Sequence, residues 1–380
     1  MQVLEAMTGG TRRFVLDLVA GLPPERFEQH VVLSLRRDPR PDDDLQALRA
    51  AGAEVTVLDM TRAIHPLRDR SALRELHELV ASWRPDLLHC HSSKAGFLGR
   101  AAVRDAGADR PVTIYSPHCF AFQAQVGVVR QRLYLALERL AAPWTDCYLL
   151  ISRGENAAAL RHGLADESRI RDLRLGVDTN RFAPGLRATR QEVGLPEGKL
   201  IGVVTSLRPQ KAPDLLVRAF GRLAATFPAA RLVLVGDGVL RPATERQVSE
   251  LHLSSRIHLL GYRTDVQALL PHFAAFVMSS AWEGLPYALL EAMACGLPVL
   301  VPDLPGVSDL VAEAGAGLAY RPRCEASLVA GLEMMLMTPV EEQRSWGAAG
   351  REYVVRYHSL AAMRQSLIAT YEELAATRTA

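Results

Sequence analysis

The sequence predicts an α/β protein with two domains, each built on a parallel β-sheet. Its 380 residues exceed the size of one ordinary hydrophobic core and suit two domains. Short apolar runs alternate with longer helical patterns, and this alternation occurs in both halves of the chain. Between the halves, the segment 175–184 (LGVDTNRFAP) is rich in turn formers and is typical of a linker. We therefore expect one domain over 1–178, a second over 179–355 and a helical segment over 356–380.

The composition indicates globular domains and excludes some partners. Hydrophobic residues make up 49% of the chain and charged residues 23%, and the five cysteines are scattered, as expected of reduced thiols. The net charge of +2 gives no basic excess for a nucleic-acid backbone, so we expect no nucleic acid as a partner. Neither a secretory signal nor an apolar window of roughly 18 residues stands out. We expect a cytoplasmic protein, with at most peripheral contact with the inner face of the cell membrane.

The first half begins with a strand and continues in strand–helix alternation. A strand is predicted at 2–6, then a turn at Gly9-Gly10 and a helix from about Arg12 to Ala20. Ser152, followed three residues later by Glu155, predicts a capping box for the helix after the last strand. The other predicted strands of this half are 30–35, 54–58, 86–91, 111–116 and 146–151.

The second half repeats the pattern. A stripe of apolar residues at helical spacing is predicted to lie in the core, and it consists of Leu215, Leu216, Ala219, Phe220 and Leu223. The tail from about Glu341 is predicted to be helical throughout. The predicted strands are 200–205, 231–235, 257–260, 275–278, 298–301 and 317–319.

Gly9 and Gly10 follow the first strand, at the sheet edge where α/β folds bind ligands. Without a β-carbon, the backbone there can approach a ligand closely. The alternative is a tight turn that binds nothing. No G-x-G-x-x-G pattern follows the strand to indicate a dinucleotide.

Three histidines lie on or beyond strands of the first half. His89 and His91 alternate with Cys90 along one strand, so the two histidines face the same side. Two histidines could bind a metal, but no third ligand stands at a recognisable spacing. His118 lies just past another strand end, where side chains point into a ligand site, although a lone histidine is more often structural. Nothing near Cys119 would activate its thiol, so a cysteine nucleophile is not expected.

The loop 206–213 (SLRPQKAP) places two cations after a strand. Arg208 and Lys211 could neutralise a diphosphate there, whereas the alternative is a solvated basic turn. Lys211 is one of only three lysines in the chain. The loop is therefore a candidate phosphate site.

The segment 283–299 (EGLPYALLEAMACGLPV) predicts a helix flanked by two carboxylates. Pro286 suits the first helical position, and Gly296 suits the left-handed conformation that ends a helix. A helix N-terminus carries about half a positive charge and can hold phosphate. Glu283 and Glu291 would lie about 12 Å apart at helical rise. The alternative is an amphipathic helix with two solvated glutamates.

This segment, continued by PVLVPDLPGVSDLV over 298–311, resembles the Glu-x7-Glu signature of retaining GT-B glycosyltransferases, a large family that includes bacterial polysaccharide glycosyltransferases. The resemblance covers nearly the whole chain. MTGGTRRFVLDLVAGL looks like the first loop and helix of the family, and 175–184 resembles its NGVDxxxFxP linker with Leu175 in place of asparagine. The resemblance implies two Rossmann-like domains that face a central cleft, with the C-terminal helix packed back on the first domain.

The resemblance also implies roles for individual residues. Lys211 matches the family's phosphate-binding lysine, whereas Ser206 occupies the place of its arginine, so Arg208 is the candidate to supply that charge. Glu283 would contact the transferred sugar and Glu291 the ribose. Leu285, Pro286 and Tyr287 are expected at the diphosphate, and Gly9 and Gly10 at the cleft. His118 is expected at the sugar or the acceptor. Tyr262 and Arg263 are expected at the nucleobase, which the family holds largely through backbone groups.

The reaction implied is transfer of a hexose from a nucleoside-diphosphate sugar, with retention of configuration, to a saccharide or polyprenyl-linked acceptor in surface or exopolysaccharide assembly. No cofactor beyond this co-substrate and no metal is expected, because cations and helix amides can carry the charge of the leaving group. The acidic run 42–44 follows prolines in an expected surface loop.

Alternatives remain open at the sequence level. A nucleotide-sugar epimerase or a phosphorylase could share the fold, and a phosphorylase would need Lys94 or Lys199 to bind pyridoxal phosphate. A non-catalytic two-domain sugar-binding protein is a third possibility. Arg68, Arg70 and Arg74 on a predicted helix could bind anionic lipid, although such a cluster is more often a solvated face.

Overall fold

The computed structural model describes residues 1–5, 7–38, 40–107, 110–124, 126–185 and 188–379. The chain divides into two compact units. The first unit comprises Met1–Leu175 together with Ala361–Ala380, and the second comprises Gly176–Leu360. The first unit is thus built from two separate stretches of the chain.

The described residues of the first unit form a seven-stranded parallel sheet in the order β3-β2-β1-β4-β5-β6-β7. The strand order reverses between β1 and β4, and open α/β sheets bind ligands at such a point. The six predicted strands are present, several of them shorter than predicted, and Ala6 of the predicted strand 2–6 lies outside the described residues. The strands are β1 (Gln2–Leu4), β2 (His30–Leu33), β3 (Glu54–Val57), β4 (Leu87–His91), β5 (Val112–Ser116), β6 (Cys147–Leu150) and β7 (Ile170–Asp172), of which β7 was not predicted.

Helices connect these strands, and apolar side chains from both layers form the core of the unit. The helices are α1 (Gly9–Val19), α2 (Pro41–Ala50), α3 (Pro66–Trp83), α4 (Ser93–Ala102), α5 (Val128–Ala141) and α6 (Arg153–Arg161).

The start of α1 differs from the prediction of a separate turn before the helix. Gly9 and Gly10 form the first turn of the helix itself. Gly9 has a φ of +59°, which favours glycine, and a β-carbon built there would meet no atom within 4 Å. The space next to the backbone is therefore open.

The prediction of a surface loop at 42–44 is wrong. These aspartates form the first turn of α2, because Pro41 suits the start of a helix and carboxylates are stabilised near its N-terminus. Asp44 is buried and forms an ion pair with Arg12. The acidic run therefore joins α2 to α1.

The described residues of the second unit form a six-stranded parallel sheet in the order β10-β9-β8-β11-β12-β13. All six predicted strands are observed. They are β8 (Lys199–Val204), β9 (Ala230–Val235), β10 (Ile257–Gly261), β11 (Ala275–Val277), β12 (Val299–Pro302) and β13 (Gly317–Tyr320).

The helices of the second unit pack on this sheet, and the apolar stripe predicted from Leu215 to Leu223 is buried in its core. The tail is helical, as predicted, except at His358 and Ser359, where Ser359 pairs with Val177. The helices are α7 (Arg190–Val193), α8 (Pro213–Leu223), α9 (Arg241–Glu250), α10 (Val266–Leu269), α11 (Tyr287–Ala294), α12 (Ser308–Ala314), α13 (Glu325–Met337), α14 (Val340–Tyr357) and α15 (Leu360–Thr379).

Helix α15 contributes to the core of the first unit. Tyr371 on this helix is buried, and its hydroxyl lies 2.6 Å from Nδ1 of His89 on β4. The side-chain amide of Gln2 on β1 donates a hydrogen bond of 3.3 Å to the same hydroxyl. Among the described residues, no helix combines the length and the apolar character needed to span a bilayer.

Candidate active site

An ion pair between Lys211 and Glu283 forms the centre of the candidate site in the second unit. Lys211 ends a short 3-10 turn, Pro209–Lys211, directly before α8, and Glu283 precedes α11. The Glu283 side chain is 6% exposed and that of Lys211 is 19% exposed. The two groups that the sequence analysis assigned to phosphate and sugar therefore neutralise each other.

Hydrogen bonds to main-chain carbonyls hold the two segments together around this pair. The amide of Ala281 donates to the carbonyl of Gln210 at 2.8 Å, and the side chain of Gln210 donates to the carbonyl of Trp282 at 3.0 Å. The hydroxyl of Ser279 donates to the carbonyl of Lys211 at 2.6 Å. The sequence did not indicate Gln210 or Ser279, since only the folded chain brings their loops together.

Two glycines after β9 let a second loop pack against the segment that leads to Lys211. A β-carbon at Gly236, whose φ is +133°, would lie 1.8 Å from the carbonyl oxygen of Thr205. One at Gly238 would lie 2.4 Å from that of Leu207. The turn 235–238 (VGDG) thus depends on glycine for the shape of the site.

The start of α11 lies beside the ion pair. The helix begins at Tyr287, one residue later than predicted, because Pro286 is extended (ψ 131°) and acts as the N-cap. Gly296 has a φ of +76° and follows the end of the helix, as predicted. Leu285 and Glu291 are both buried. A small cavity adjoins the helix start and is lined in part by Thr205, Lys211, Ser279, Ser280, Pro286 and Ala288.

Arg208 and the residues after β10 complete the predicted donor region. Arg208 is exposed and makes no ion pair within the described residues, although its carbonyl accepts a hydrogen bond from the amide of Lys211. Tyr262 is exposed. The guanidinium of Arg263 binds Asp265 at 2.7 Å and the carbonyl of Val193 at 3.0 Å, so its side chain is engaged within the protein.

In the first unit, the predicted strand alternation holds, and a chain of hydrogen bonds orients His118. Nε2 of His91 lies 2.9 Å from the amide oxygen of Gln2, so this nitrogen donates. Nδ1 of neutral His91 is then an acceptor, and Nε2 of His118, 3.1 Å away, donates to it. This arrangement leaves Nδ1 of His118 as an acceptor.

Burial keeps these histidines neutral. It lowers the pKa of His118 to about 4 and the pKa of His91 well below its ordinary range, because the charged ring would lose its hydration. Phe14 packs against His118 with ring centroids 5.1 Å apart. His118 can therefore accept a hydrogen bond from a ligand hydroxyl without carrying a charge.

Glu155 fixes the loop that carries His118. His118 and Cys119 have φ values of +51° and +96°, and the Glu155 carboxylate accepts a hydrogen bond from the amide of Cys119. Its other oxygen accepts from Ile151 at 2.9 Å. The predicted capping box is thus only half correct, since Ser152 caps α6 but Glu155 binds elsewhere. Burial raises the pKa of Glu155 to about 7.

The sequence analysis also considered metal ligands and two further lysines. No group of three or more histidine, cysteine, aspartate or glutamate side chains within the described residues is arranged to hold a metal ion. Lys94 pairs with Asp69 at 2.6 Å, and Lys199 donates to the carbonyl of Leu336 at 3.2 Å. Both lysines suggested for a phosphorylase cofactor are therefore engaged.

Comparison of the sequence with known proteins identifies the family of the chain. Residues 187–353 match the family described as glycosyl transferases group 1, and residues 9–176 match the glycosyl transferase 4-like domain. The chain is 30% identical over 315 residues to the UDP-Gal:alpha-D-GlcNAc-diphosphoundecaprenol alpha-1,3-galactosyltransferase of Escherichia coli, covering 81% of this chain and 80% of that enzyme. The chain belongs to the GT-B glycosyltransferases.

Further relatives and solved structures agree with this class. The putative glycosyltransferase EpsD of Bacillus subtilis is 26% identical over 75% of this chain and 76% of its own length. The sucrose-phosphate synthase of Thermosynechococcus elongatus superposes with a TM-score of 0.82 at 19% identity, over 99% of this chain and 98% of that one. Anabaena HepE in complex with UDP and glucose superposes with a TM-score of 0.79 at 18% identity, over 98% of both chains. The fold is GT-B.

Proposed function

We propose that the protein is a retaining hexosyltransferase that uses a nucleoside-diphosphate sugar and acts on a saccharide or lipid-linked acceptor. The observation that carries the proposal is the Lys211–Glu283 ion pair beside the start of α11, in a chain that belongs to the GT-B glycosyltransferases. Glu283 and Glu291 are the two carboxylates of the Glu-x7-Glu pattern. The cation, the carboxylate and a helix N-terminus are what departure of a diphosphate from a sugar requires.

The reaction first requires that the negative charge of the leaving diphosphate be stabilised. The bond between the anomeric carbon and the diphosphate oxygen breaks, and the acceptor hydroxyl forms a new bond to that carbon on the same face. The acceptor proton passes to the departing diphosphate. Lys211 exchanges Glu283 for the diphosphate when the donor binds, and the first-turn amides of α11 share the negative charge. Arg208, which makes no ion pair within the described residues, supplies the second cation in place of the residue at Ser206.

The reaction also requires that the sugar and the nucleoside be held in position. Glu283, released from Lys211, accepts hydrogen bonds from hydroxyls of the transferred sugar. Glu291 binds the ribose diol, and the segment at Tyr262 and Arg263 holds the base through its backbone. Nδ1 of neutral His118 accepts a hydrogen bond from the sugar or from the acceptor. Neither a metal nor a further cofactor takes part.

Two relatives support the choice of substrates. The E. coli relative is named for UDP-Gal as donor and for a GlcNAc-diphosphoundecaprenol acceptor. The Anabaena structure contains UDP and glucose. We therefore propose a UDP-hexose as donor and a polyprenyl-linked saccharide as acceptor, with a role in surface or exopolysaccharide assembly at the cytoplasmic face of the membrane.

A donor panel tests the proposal. Purified protein is incubated with UDP- and GDP-hexoses, with and without short-chain polyprenyl diphosphate saccharides, and the released nucleoside diphosphate is measured. Acceptor-dependent release is expected, with a product whose anomeric configuration, read by NMR coupling constants, equals that of the donor. Conversion of the donor to its epimer without acceptor would indicate an epimerase instead. Tight sugar binding without release would indicate a binding protein.

A further inference from the structure

Helix α5 of the first unit turns an apolar stripe toward solvent. Val129 is 82% exposed, Leu140 55% and Leu133 44%, and with the exposed Ala136 these residues recur at intervals of three and four positions. Such spacing places them on one face of the helix. Val128 beside them is 61% exposed. A single exposed apolar residue is ordinary, but an outward stripe of this kind on a surface helix marks an interaction surface.

The exposed charges on α5 itself are all positive. Arg130, Arg132 and Arg139 are exposed on the same helix. Arg130 and Arg132 make no ion pair within the described part of the chain. The single carboxylate of α5, Glu138, is buried. The outward face of α5 is therefore apolar along its centre and cationic along its flanks.

The inward face of α5 is anchored to the core, so the stripe is presented on a rigid element. The Glu138 carboxylate accepts a hydrogen bond from the fully buried Arg100 at 2.8 Å and one from the hydroxyl of Tyr115 at 2.7 Å. Tyr134 and Leu135 pack against the core of the unit. Since the helix is held from inside, its exposed apolar residues are not the product of a loosely attached segment.

We propose that the outward face of α5 docks on a bilayer that contains anionic lipids, with its valines and leucines inserted among the acyl chains near the head groups and its arginines bound to phosphates. Helices that combine an apolar face with arginines bind such surfaces. The inference rests on the proposed function, because a polyprenyl-linked acceptor is reached only at the bilayer surface. A protein partner could pack on the same apolar stripe, but the uniform positive charge of the exposed face of α5 favours a polyanionic surface.

Helix α3 is a weaker candidate for this contact. Its arginines Arg68, Arg70 and Arg74 are exposed, as is Leu67. They are interspersed with acids, however, and Arg74 pairs with Glu78 at 2.8 Å. The mixed charge of α3 is that of an ordinary solvated helix face.

Co-sedimentation with lipid vesicles tests the proposal. The full chain is mixed with vesicles of phosphatidylethanolamine and phosphatidylglycerol, and in parallel with vesicles of phosphatidylcholine alone. Binding to the anionic vesicles that weakens with added salt is expected. The triple variant Val129→Gln, Leu133→Gln, Leu140→Gln should bind them about tenfold more weakly or worse. The double variant Arg130→Gln, Arg132→Gln should lose the preference for phosphatidylglycerol.

Matched controls separate α5 from other surfaces. Val239→Gln replaces a similarly exposed valine (78%) in the second unit, and the triple variant Arg68→Gln, Arg70→Gln, Arg74→Gln removes these arginines from α3. Both should bind vesicles like the wild type. Unchanged binding by the α5 triple variant, or loss of binding only in the α3 variant, would overturn the proposal. So would a wild-type dimer, seen by light scattering, that the α5 substitutions dissociate while no vesicle binding occurs.

Calorimetric titration with UDP keeps this inference distinct from the proposed function. All of these variants should bind UDP with wild-type affinity, since none touches the candidate site, and wild-type circular dichroism and urea unfolding should show that the substituted unit is folded. Vesicle binding without turnover of any nucleotide sugar would reject the function and retain the docking surface. Acceptor-dependent turnover without vesicle binding would reject the docking surface alone.

Discussion

Lys211 and Glu283 form an ion pair although they lie 72 positions apart in the sequence. Each side chain serves as the internal counterion of the other, and both are largely shielded from water. Removing one partner leaves the other charge poorly solvated, which costs more than the pair itself contributes.

This pairing predicts a non-additive effect on stability. Lys211→Met should lower the free energy of unfolding because Glu283 loses its counterion, and adding Glu283→Gln should restore part of the loss. The coupling energy from a double-mutant cycle in urea should be about 1–3 kcal/mol. Arg208→Met, in the same loop but exposed, is the matched control and should change stability by about 0.5 kcal/mol or less. Strict additivity would show that the pair makes no energetic contribution.

The cations should govern turnover. Lys211→Ala should cost about 3–4 kcal/mol of transition-state stabilisation, the usual loss when one preorganised donor is removed. Arg208→Ala should cost a comparable amount if Arg208 compensates for the serine at 206. Adding Ser206→Arg to Arg208→Ala should then recover activity, as measured by kcat/KM for the donor. Normal turnover of Arg208→Ala would show that this arginine does not contact the donor.

The two glutamates should separate binding from catalysis. Glu291→Ala should weaken UDP binding by about 1.5–3 kcal/mol through lost hydrogen bonds to the ribose. Glu283→Ala should lower kcat more than it changes donor affinity. UDP titration and steady-state kinetics on both variants distinguish these effects. Near-wild-type values for both variants would refute the assignment.

Stability should depend on the ionisation of Glu155. Burial raises the pKa of this carboxyl from the ordinary 4.5 to about 7, so its contribution to stability is complete below pH 4.5 and is lost as the pH rises through 7. Compared with the wild type, Glu155→Gln should lack this decline between pH 4.5 and 7 in urea unfolding. Ser152→Ala, which removes the cap of α6 at a cost of about 1 kcal/mol, should keep it. A parallel pH profile for Glu155→Gln and the wild type would contradict the assignment.

Turnover should not require a divalent cation. In the proposed mechanism Lys211, Arg208 and the start of α11 carry the charge of the leaving diphosphate. Rates measured after treatment with EDTA should therefore equal those with added Mg²⁺. Loss of activity in EDTA that Mg²⁺ restores would overturn this part of the mechanism.

The fold was largely predictable because parallel strands that are buried on both faces consist of runs of apolar residues. Strand β7 escaped prediction because it has only three residues, two of them charged. The position of 42–44 was mispredicted for a different reason. Prolines and aspartates favour a loop locally, whereas the burial of Asp44 depends on Arg12 from another helix.

The candidate site was predictable one residue at a time but not as an arrangement. Glu283 and Lys211 each stand in a recognisable pattern, yet their pairing depends on two loops that meet only in the folded chain. Gln210 and Ser279 carry no local signal, because each acts on the backbone of a distant segment. The local signal of Glu155 predicted a capping box, whereas its carboxylate binds the amides of Ile151 and the distant Cys119. Long-range hydrogen bonds of this kind leave no spacing in a single sequence.

Helix α15 imposes an order on folding. The second unit is continuous in sequence, whereas the first needs Tyr371 to cover His89 and Gln2 on its central strands. The first unit is translated first, yet two polar side chains of its sheet stay uncovered until the helix with Tyr371 is available. A chain truncated after Leu360 should consequently show a protease-resistant second unit and a sensitive first one.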